Sequence, residues 1–169
     1  MKNIQEIEID FTNYSINTPE FSLNGFCTIG RLVDIIDGDS LTIILPLFNN
    51  FYKYHVRLCG IDTCEMKSKN KENKDLAIKA RNTLLELVVD TPKSPLLKKD
   101  IQEILDKNII IVFVECFDFD KYGRLLANVY IKKDELKINL SEYLLQHKLA
   151  YKYTGDTKLT EKEQLEILN

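Results

Sequence analysis

The order of strand-forming and helix-forming segments is the feature that most limits how this chain of 169 residues folds. Three segments rich in strand formers come first, at 26–36, 41–45 and 51–61, and turn residues separate them. Apolar residues at steps of three and four then predict an amphipathic helix over 75–89. The first half of the chain is therefore expected to form an antiparallel meander that leads into a helix.

Strands and helices follow again in the second half. A continuous apolar segment at 109–117 predicts a strand buried on both faces, and 124–132 predicts a fifth strand after a turn. Asn139, with an acidic residue three positions later, predicts a helix start, and a last helix is expected over 159–168. Five strands with a helix between the third and fourth is the order of the OB-fold barrel, so the predicted class is α+β.

Composition and charge exclude several classes of protein. The chain has 23 Lys and Arg against 26 Asp and Glu, so it is not a protein that wraps nucleic acid through bulk positive charge. Its longest apolar run, residues 109–114, is much shorter than the roughly 20 residues that cross a membrane. Acidic residues near the N-terminus replace the apolar stretch of a signal peptide. We expect a soluble, intracellular monomer that makes no membrane contact.

Three polar clusters are candidates for chemistry. Asp37-Gly38-Asp39 lies at a strand end, where two short carboxylates either hold a divalent cation or form a solvated hairpin turn. Residues 57–65 contain an arginine and two carboxylates, which either pair on the surface or serve as phosphate clamp, metal ligand and general base. Residues 120–124 form either a polar turn or a means of bringing a second arginine to the same cleft.

Hydrolysis of a phosphodiester needs the residue types that these clusters contain. The substrate is anionic, and its transition state concentrates negative charge on the phosphoryl oxygens. A catalyst therefore needs a divalent cation held by carboxylates, a base that activates water, and further cations near the developing charge. For these roles the clusters supply at least two aspartates, one glutamate and two arginines, and a guanidinium is a planar fork that suits phosphate oxygens.

As an ordered set, the clusters resemble the staphylococcal nuclease-like (thermonuclease) family. The matching segments are Val33–Ser40, Val56–Glu65, Phe119–Ala127 and, more weakly, Leu149–Tyr153. The resemblance covers residues 26–153 in the right order and spacing, and it agrees with the predicted OB-fold. It implies an endonuclease that hydrolyses DNA, RNA or both with one bound Ca²⁺, rather than Mg²⁺ or Mn²⁺, and leaves 3′-phosphates.

The resemblance also implies roles for the acidic residues and for one carbonyl. Asp39 and Asp62 would be carboxylate ligands of the Ca²⁺, and Thr63 would contribute its backbone carbonyl. Asp37 would support these ligands without touching the ion. Glu65 would orient or deprotonate the water that attacks the phosphorus. One metal ion and one general base would thus come from the first two clusters.

Contacts with the substrate are implied as well. Arg57 and Arg124 would grip the phosphate and stabilise its transition state. Lys121 and Tyr122 would contact a neighbouring phosphate. Either Tyr151 or Tyr153 would stack on a base. The substrate would therefore be DNA or RNA, held through its phosphates and through one base.

The sequence departs from the family in several places. Residues 1–25 have no counterpart and are expected to form an extended or poorly ordered arm before the domain at 26–153. The stretch 92–108, with a short predicted helix, is interpreted as an insertion, and 154–169 are expected to form a helical tail. Cys64 stands where the family usually has a proline, which would stiffen the loop around it.

A non-catalytic OB-fold module that binds nucleic acid is the alternative, because degenerate relatives keep the fold without these side chains. A third possibility is a protein-interaction domain whose N-terminal arm docks a partner. The presence of all five charged catalytic positions favours the enzyme. Local charge agrees with a nucleic-acid substrate, since residues 51–81 contain eight basic and four acidic side chains within an acidic protein.

Overall fold

Residues 10–89 and 97–169 are described by the structure, a computed structural model. Predictions for residues 1–9 of the arm and 92–96 of the insertion lie outside these ranges. In chain order, the elements are β1 (Cys27–Ile35), β2 (Ser40–Leu47), β3 (Asn50–Leu58), β4 (Ile61–Asp62), α1 (Lys71–Val88), α2 (Lys98–Lys107), β5 (Ile110–Phe119), β6 (Leu125–Lys133), β7 (Leu136–Asn139), α3 (Leu140–Gln146), β8 (Tyr151–Lys152) and α4 (Glu161–Leu168).

Five of these strands close into a barrel. The sheet order is β3-β2-β1-β5-β6-β7 with antiparallel neighbours, and a parallel pairing between β3 and β6 completes the ring. The strands β4 and β8 form a separate small sheet. This arrangement confirms the predicted α+β OB-fold, with α1 and α2 between the third and fourth barrel strands. The short strands β4, β7 and β8 are not predicted, because two to four residues carry too little alternation.

Closure of the barrel joins the three sequence clusters. The parallel pairing of β3 with β6 aligns Arg57 with Leu126. Arg124, which immediately precedes β6, is therefore placed at the same end of the barrel as Arg57. The first residue of β2, Ser40, also pairs with Arg57, so the first cluster reaches this end too. Strand register alone thus brings together segments that are far apart in the sequence.

Aliphatic side chains on the inner faces of the strands and on α1 fill the barrel, and each contributes about 1.5–3 kcal/mol when fully buried. In β5, Val112 and Val114 belong to this core, whereas Ile111 and Phe113 are 50% and 41% exposed. The prediction that this strand is buried on both faces is wrong, because the outer face of an antiparallel barrel can face water. Other fully buried core residues include Leu32, Ile43, Val56, Leu84 and Leu125.

Capping side chains determine where the helices begin. Asn70 accepts hydrogen bonds from the N–H groups of Glu72 at 2.9 Å and Asn73 at 3.4 Å, so α1 begins four residues earlier than predicted. The buried, polar Asn73 interrupts the apolar periodicity on which the prediction rests. Asn139 accepts from the N–H of Glu142 at 3.1 Å, which confirms the predicted start of α3.

Residues 10–26 and the helix α2 both contact the barrel. Residues 10–26 contain no helix or strand, but Leu23 is buried in the core. The helix α2, in the segment interpreted from the sequence as an insertion, lies against β1, and Gln102 Nε2 donates to Asp34 Oδ2 at 2.7 Å. Among the helices of the described ranges, none is both long enough and apolar enough to cross a membrane.

Candidate active site

Strand ends bring the charged residues together at one end of the barrel. Asp39 immediately precedes β2, and Arg57 is the residue before the last of β3. Asp62 lies in β4, whose pairing with β8 brings in the C-terminal tail. Arg124 immediately precedes β6. Each of these residues lies in a strand or directly before one, so strand pairing fixes its position.

The guanidinium of Arg57 joins the two aspartates predicted as metal ligands. Its Nη2 lies 2.6 Å from Asp62 Oδ1, and its Nη1 lies 3.2 Å from Asp39 Oδ2. Nη1 also donates to the Leu58 carbonyl at 3.2 Å. All three charged side chains are more than nine-tenths buried, where attraction is strong but desolvation is costly. Because both carboxylates contact one guanidinium, they are near neighbours.

Asp39 accepts hydrogen bonds through both carboxylate oxygens. Its Oδ2 accepts from the backbone N–H and the hydroxyl of Thr63, each at 3.0 Å, and its Oδ1 accepts from the Ser40 hydroxyl at 3.0 Å. Burial and the nearby carboxylates of Asp37 and Asp62 raise the pKa of Asp39 to about 7, while the guanidinium opposes the shift. Because burial is the largest cause, the site disfavours the ionised carboxylate unless a cation lies beside it.

Asp62 is the most buried charged group of the site, and Tyr151 holds it. The Tyr151 hydroxyl donates to Asp62 Oδ2 at 2.5 Å. Burial and then this hydrogen bond raise the pKa of Tyr151. The Tyr151 side chain is buried, so it lies beneath the site rather than at its opening. Tyr153, two residues further on, is only partly buried and lines the opening.

Lys158 is a site residue that the sequence motifs do not reveal. Its ammonium donates to Glu65 Oε1 at 2.9 Å and lies 3.1 Å from Asp62 Oδ1. Burial lowers the pKa of Lys158, but the hydrogen bonds to Glu65 and Asp62 outweigh it, so this pKa is raised. The lysine follows the last matching motif, and only the pairing of β4 with β8 shows that its segment reaches the site.

A cleft of about 780 Å³ opens beside this network, and Arg57 and Lys158 are the members of the network that line it. Arg57 lines it from the barrel side, and Arg124 lines it from the turn before β6. The structure therefore places both predicted phosphate-binding arginines around one opening. The basic and aromatic residues that line the cleft are Arg57, Lys121, Tyr122, Arg124, Tyr153 and Lys158, and the polar residues Asp120 and Thr154 line it as well.

Asp120 organises the turn that carries Arg124. Its Oδ1 accepts from the N–H groups of Tyr122 and Arg124, both at 2.9 Å, and its Oδ2 accepts from Arg124 Nε at 2.7 Å. Burial raises the pKa of Asp120, but these hydrogen bonds outweigh it, so the pKa lies below its ordinary value. The exposed Tyr122 ring has Lys121 Nζ 5.2 Å and Arg124 Cζ 5.7 Å from its centroid. The turn thus presents two cations and an aromatic ring.

The loop after β4 is packed tightly against α1 and the first cluster. Gly38 has no room for a side chain, because a Cβ there would lie 2.8 Å from side-chain atoms of Ala80 and Thr63. Cys64 is buried, and its Sγ accepts a hydrogen bond from Asn73 Nδ2 at 3.6 Å. Burial raises the pKa of the Cys64 thiol, which disfavours the reactive thiolate. Packing therefore holds Thr63 in place without a proline.

Oxygen donors dominate the buried part of the site, as a hard divalent cation requires. Within the described residues, no three His, Cys, Asp or Glu side chains meet closely enough to hold a metal ion. Asp39 and Asp62 would supply two ligands and the Thr63 carbonyl a third, with water or a substrate phosphate completing the coordination. Asp37 stands behind them, since its Oδ1 accepts from the Asp39 N–H at 3.1 Å. The raised pKa of Asp39 fits a cation, which would favour the ionised carboxylate.

Comparison with known proteins agrees with the resemblance that the motifs carry. The family described as Staphylococcal nuclease homologue matches residues 55–169, and the first cluster with Asp39 lies before this span. The uncharacterized protein MJ1439 of Methanocaldococcus jannaschii is 29% identical over 138 residues, or 77% of this chain. The chain spans about three fifths of that relative, because the match covers 61% of its length. Since the family match extends over more than half of the chain, this protein belongs to the staphylococcal nuclease homologue family.

Proposed function

We propose that this chain is an endonuclease that hydrolyses phosphodiester bonds of DNA, RNA or both, with one bound Ca²⁺ and 3′-phosphate products. The observation that carries the proposal is the position of Arg57 and Arg124 around one cleft, with buried Asp39 and Asp62 immediately behind Arg57. Two guanidiniums around one opening suit a phosphoryl group that gains negative charge in its transition state. Membership of the nuclease family supports the same reaction.

Each residue has a separate task in this mechanism. Arg57 and Arg124 bind phosphate oxygens and stabilise the charge that develops on them. Glu65 takes a proton from the water that attacks the phosphorus. The bond between phosphorus and the 5′-oxygen of the next nucleotide breaks, that oxygen takes a proton from solvent water, and the phosphate remains on the 3′ side of the cut. When bound by the two buried aspartates and the Thr63 carbonyl, Ca²⁺ would polarise a phosphate oxygen as a Lewis acid.

The open side of the cleft binds the nucleic-acid chain in this proposal. Lys121 contacts a neighbouring phosphate, and Tyr122 lies next to it. Tyr153 offers the stacking ring, because it lines the cleft whereas Tyr151 is buried against Asp62. Stacking contributes about 1–3 kcal/mol per base and tolerates every base, so we expect cleavage with little sequence preference.

A cleavage assay on the full chain tests the proposal. Single-stranded DNA and RNA of the same sequence, labelled at the 5′ end, are incubated with millimolar Ca²⁺. We expect fragments that end in 3′-phosphates, and we expect a chelator to stop their formation. Glu65→Gln should lower turnover by about 100-fold or more, because the base that activates water is lost. Glu166→Gln, at an exposed ion pair on α4, is the matched control and should leave turnover unchanged.

A non-catalytic module that binds nucleic acid is the second candidate, and one observation favours it. The carboxylates of Asp39 and Asp62 are already engaged by Arg57 and by surrounding hydroxyl and N–H donors, as in a structural ion-pair network. Such a module would retard labelled DNA in a gel with chelator present and would leave it intact. Absence of cleavage with Ca²⁺, Mg²⁺ and Mn²⁺ alike would overturn the enzyme proposal.

A further inference from the structure

We propose that Lys158 is a positioning residue that ties Glu65 to the buried Asp62 and so fixes the water-activating carboxylate beside the cleft. The inference rests on the proposed function, because that function makes Glu65 the general base. It does not rest on the sequence motifs, since Lys158 lies in the tail that follows them. Its basis is the position of one ammonium between two carboxylates of unequal burial.

Two lysines of the tail show how this contact differs from an ordinary surface pair. Lys158 Nζ lies 2.9 Å from Glu65 Oε1 and 3.1 Å from Asp62 Oδ1, and the Asp62 side chain is only 1% exposed. Lys162 Nζ lies 3.8 Å from Glu166 Oε1, and both of those side chains are largely exposed. The second pair is a helix-surface contact of little energetic weight. In the first, Asp62 anchors the ammonium, and the ammonium restrains the exposed glutamate.

The segment that carries this lysine is held at both ends. Before it, β8 pairs with β4, and the Tyr153 N–H donates to the Gly60 carbonyl at 3.0 Å. After it, Gln164 of α4 donates to the Leu159 carbonyl at 3.0 Å and accepts from Asn73 of α1 at 3.1 Å. Gln164 and Asn73 are both buried. The loop between these anchors therefore delivers the ammonium to the carboxylates by its own packing.

Glu65 depends on this contact for a fixed position. Its side chain is 65% exposed, and within the described ranges its carboxylate has no other hydrogen-bond partner. An exposed glutamate samples several rotamers, whereas a general base must stay within hydrogen-bond reach of the water it deprotonates. The contact uses Oε1 of Glu65 and leaves Oε2 available to that water.

Lys158→Met tests the role, because methionine keeps most of the side-chain length and loses the ammonium. We expect turnover to fall by about 10- to 100-fold, with KM for an oligonucleotide within about threefold of wild type. Lys158→Arg should recover most of the turnover, and Lys162→Met should match wild type. A merely structural role would not separate kcat from KM in this way. Unchanged or increased turnover in Lys158→Met would overturn the proposal.

Binding of Tb³⁺, a luminescent substitute for Ca²⁺, gives a readout that does not depend on cleavage. Tyr151 can sensitise an ion at Asp62, because its hydroxyl is hydrogen-bonded to that carboxylate. Since the ammonium of Lys158 repels a cation at Asp62, we expect Lys158→Met to bind Tb³⁺ about three- to tenfold more tightly than wild type. Lys162→Met should bind as wild type does. Equal affinity in all three proteins would refute the contact, whereas an inactive wild type would refute only the nuclease proposal.

Discussion

The two arginines that line the cleft are held in opposite ways. Arg57 lies between Asp39 and Asp62, and only 8% of its side chain is exposed. The side chain of Arg124 is 34% exposed, and its acidic partner is Asp120 in the same turn. One arginine therefore belongs to the buried structure of the barrel, and the other belongs to a surface turn.

This difference indicates how each cation could serve a substrate. The donors of Arg57 are engaged by two carboxylates and a carbonyl, so its first effect is to offset buried negative charge. Arg124 can turn towards a phosphate by giving up one partly exposed ion pair, which is worth about 1 kcal/mol or less. We therefore interpret Arg57 as the fixed cation of the site and Arg124 as the adjustable one.

The largest expected effect is the loss of stability in Arg57→Met. Removing the guanidinium leaves buried Asp39 without its cation and Asp62 with only the half-exposed Lys158, so the free energy of unfolding should fall by about 3–5 kcal/mol. Arg124→Met should change it by about 1 kcal/mol or less. Urea unfolding of the two variants and of wild type measures the difference. Equal losses of unfolding free energy in both variants would show that Arg57 does not stabilise the fold more than Arg124 does.

Arg124→Lys separates catalysis from stability. A lysine keeps the charge but cannot form the bidentate fork, so turnover on single-stranded DNA should fall by about 100-fold. The free energy of unfolding should stay within about 0.5 kcal/mol of wild type, as for most surface substitutions. Arg31→Lys, which changes an arginine outside the cleft, is the control for the chemical change itself. Turnover equal to wild type in Arg124→Lys would show that this arginine does not grip the phosphate.

Tyr151 in β8 and Tyr153 just after it extend the same contrast to neutral side chains. Tyr151→Phe removes the hydroxyl bonded to Asp62 and should lower the free energy of unfolding by about 1.5 kcal/mol. Tyr153→Ala loses packing against the small core cluster around Cys64 and the hydrogen bond to the Asp156 carbonyl, so it should lower the free energy of unfolding by about 1 kcal/mol. Unlike Tyr151→Phe, it should also weaken binding of a short oligonucleotide by about 1–2 kcal/mol. Urea unfolding and fluorescence anisotropy give the two quantities. If Tyr151→Phe weakened oligonucleotide binding and Tyr153→Ala did not, Tyr151 rather than Tyr153 would be the residue that contacts the substrate.

The smallest expected effect is the acid sensitivity of the turn before β6. The folded-state pKa of Asp120 lies below its ordinary value of 3.8, so the carboxylate stabilises the fold above about pH 4. That contribution is lost as the pH falls through the folded-state pKa, because protonation removes charge from the acceptor. Asp120→Asn should therefore differ from wild type most at neutral pH, by about 1 kcal/mol or less. A difference that grows in acid would contradict this sign.

Local signals in the sequence predict the barrel strands and the third helix. Alternation and turn residues indicate β1, β2, β3 and β6, and Asn139 indicates the start of α3. The same signals cannot report which face of an apolar strand meets water, so the exposure of Ile111 and Phe113 is missed. The start of α1 is missed because a buried asparagine, Asn73, interrupts the apolar pattern.

The site is only partly predictable for a similar reason. The three clusters indicate which residue types could act together, and barrel closure is what brings them to one end. Lys158 carries no motif, and its contact with Glu65 depends on the pairing of β4 with β8, strands of two residues each. The burial of Tyr151 and the opposite placement of Tyr153 depend on that pairing as well. Strands of two residues carry too little alternation for their long-range pairing to be predicted from the sequence.

The most direct test of the central claim is a crystal structure of the full chain with Ca²⁺ and a nucleoside 3′,5′-bisphosphate. We expect a single ion in contact with the carboxylates of Asp39 and Asp62. We also expect a phosphate of the nucleotide in contact with both Arg57 and Arg124. A phosphate bound away from both arginines, or an ion that touches neither aspartate, would show that these residues do not form the proposed site.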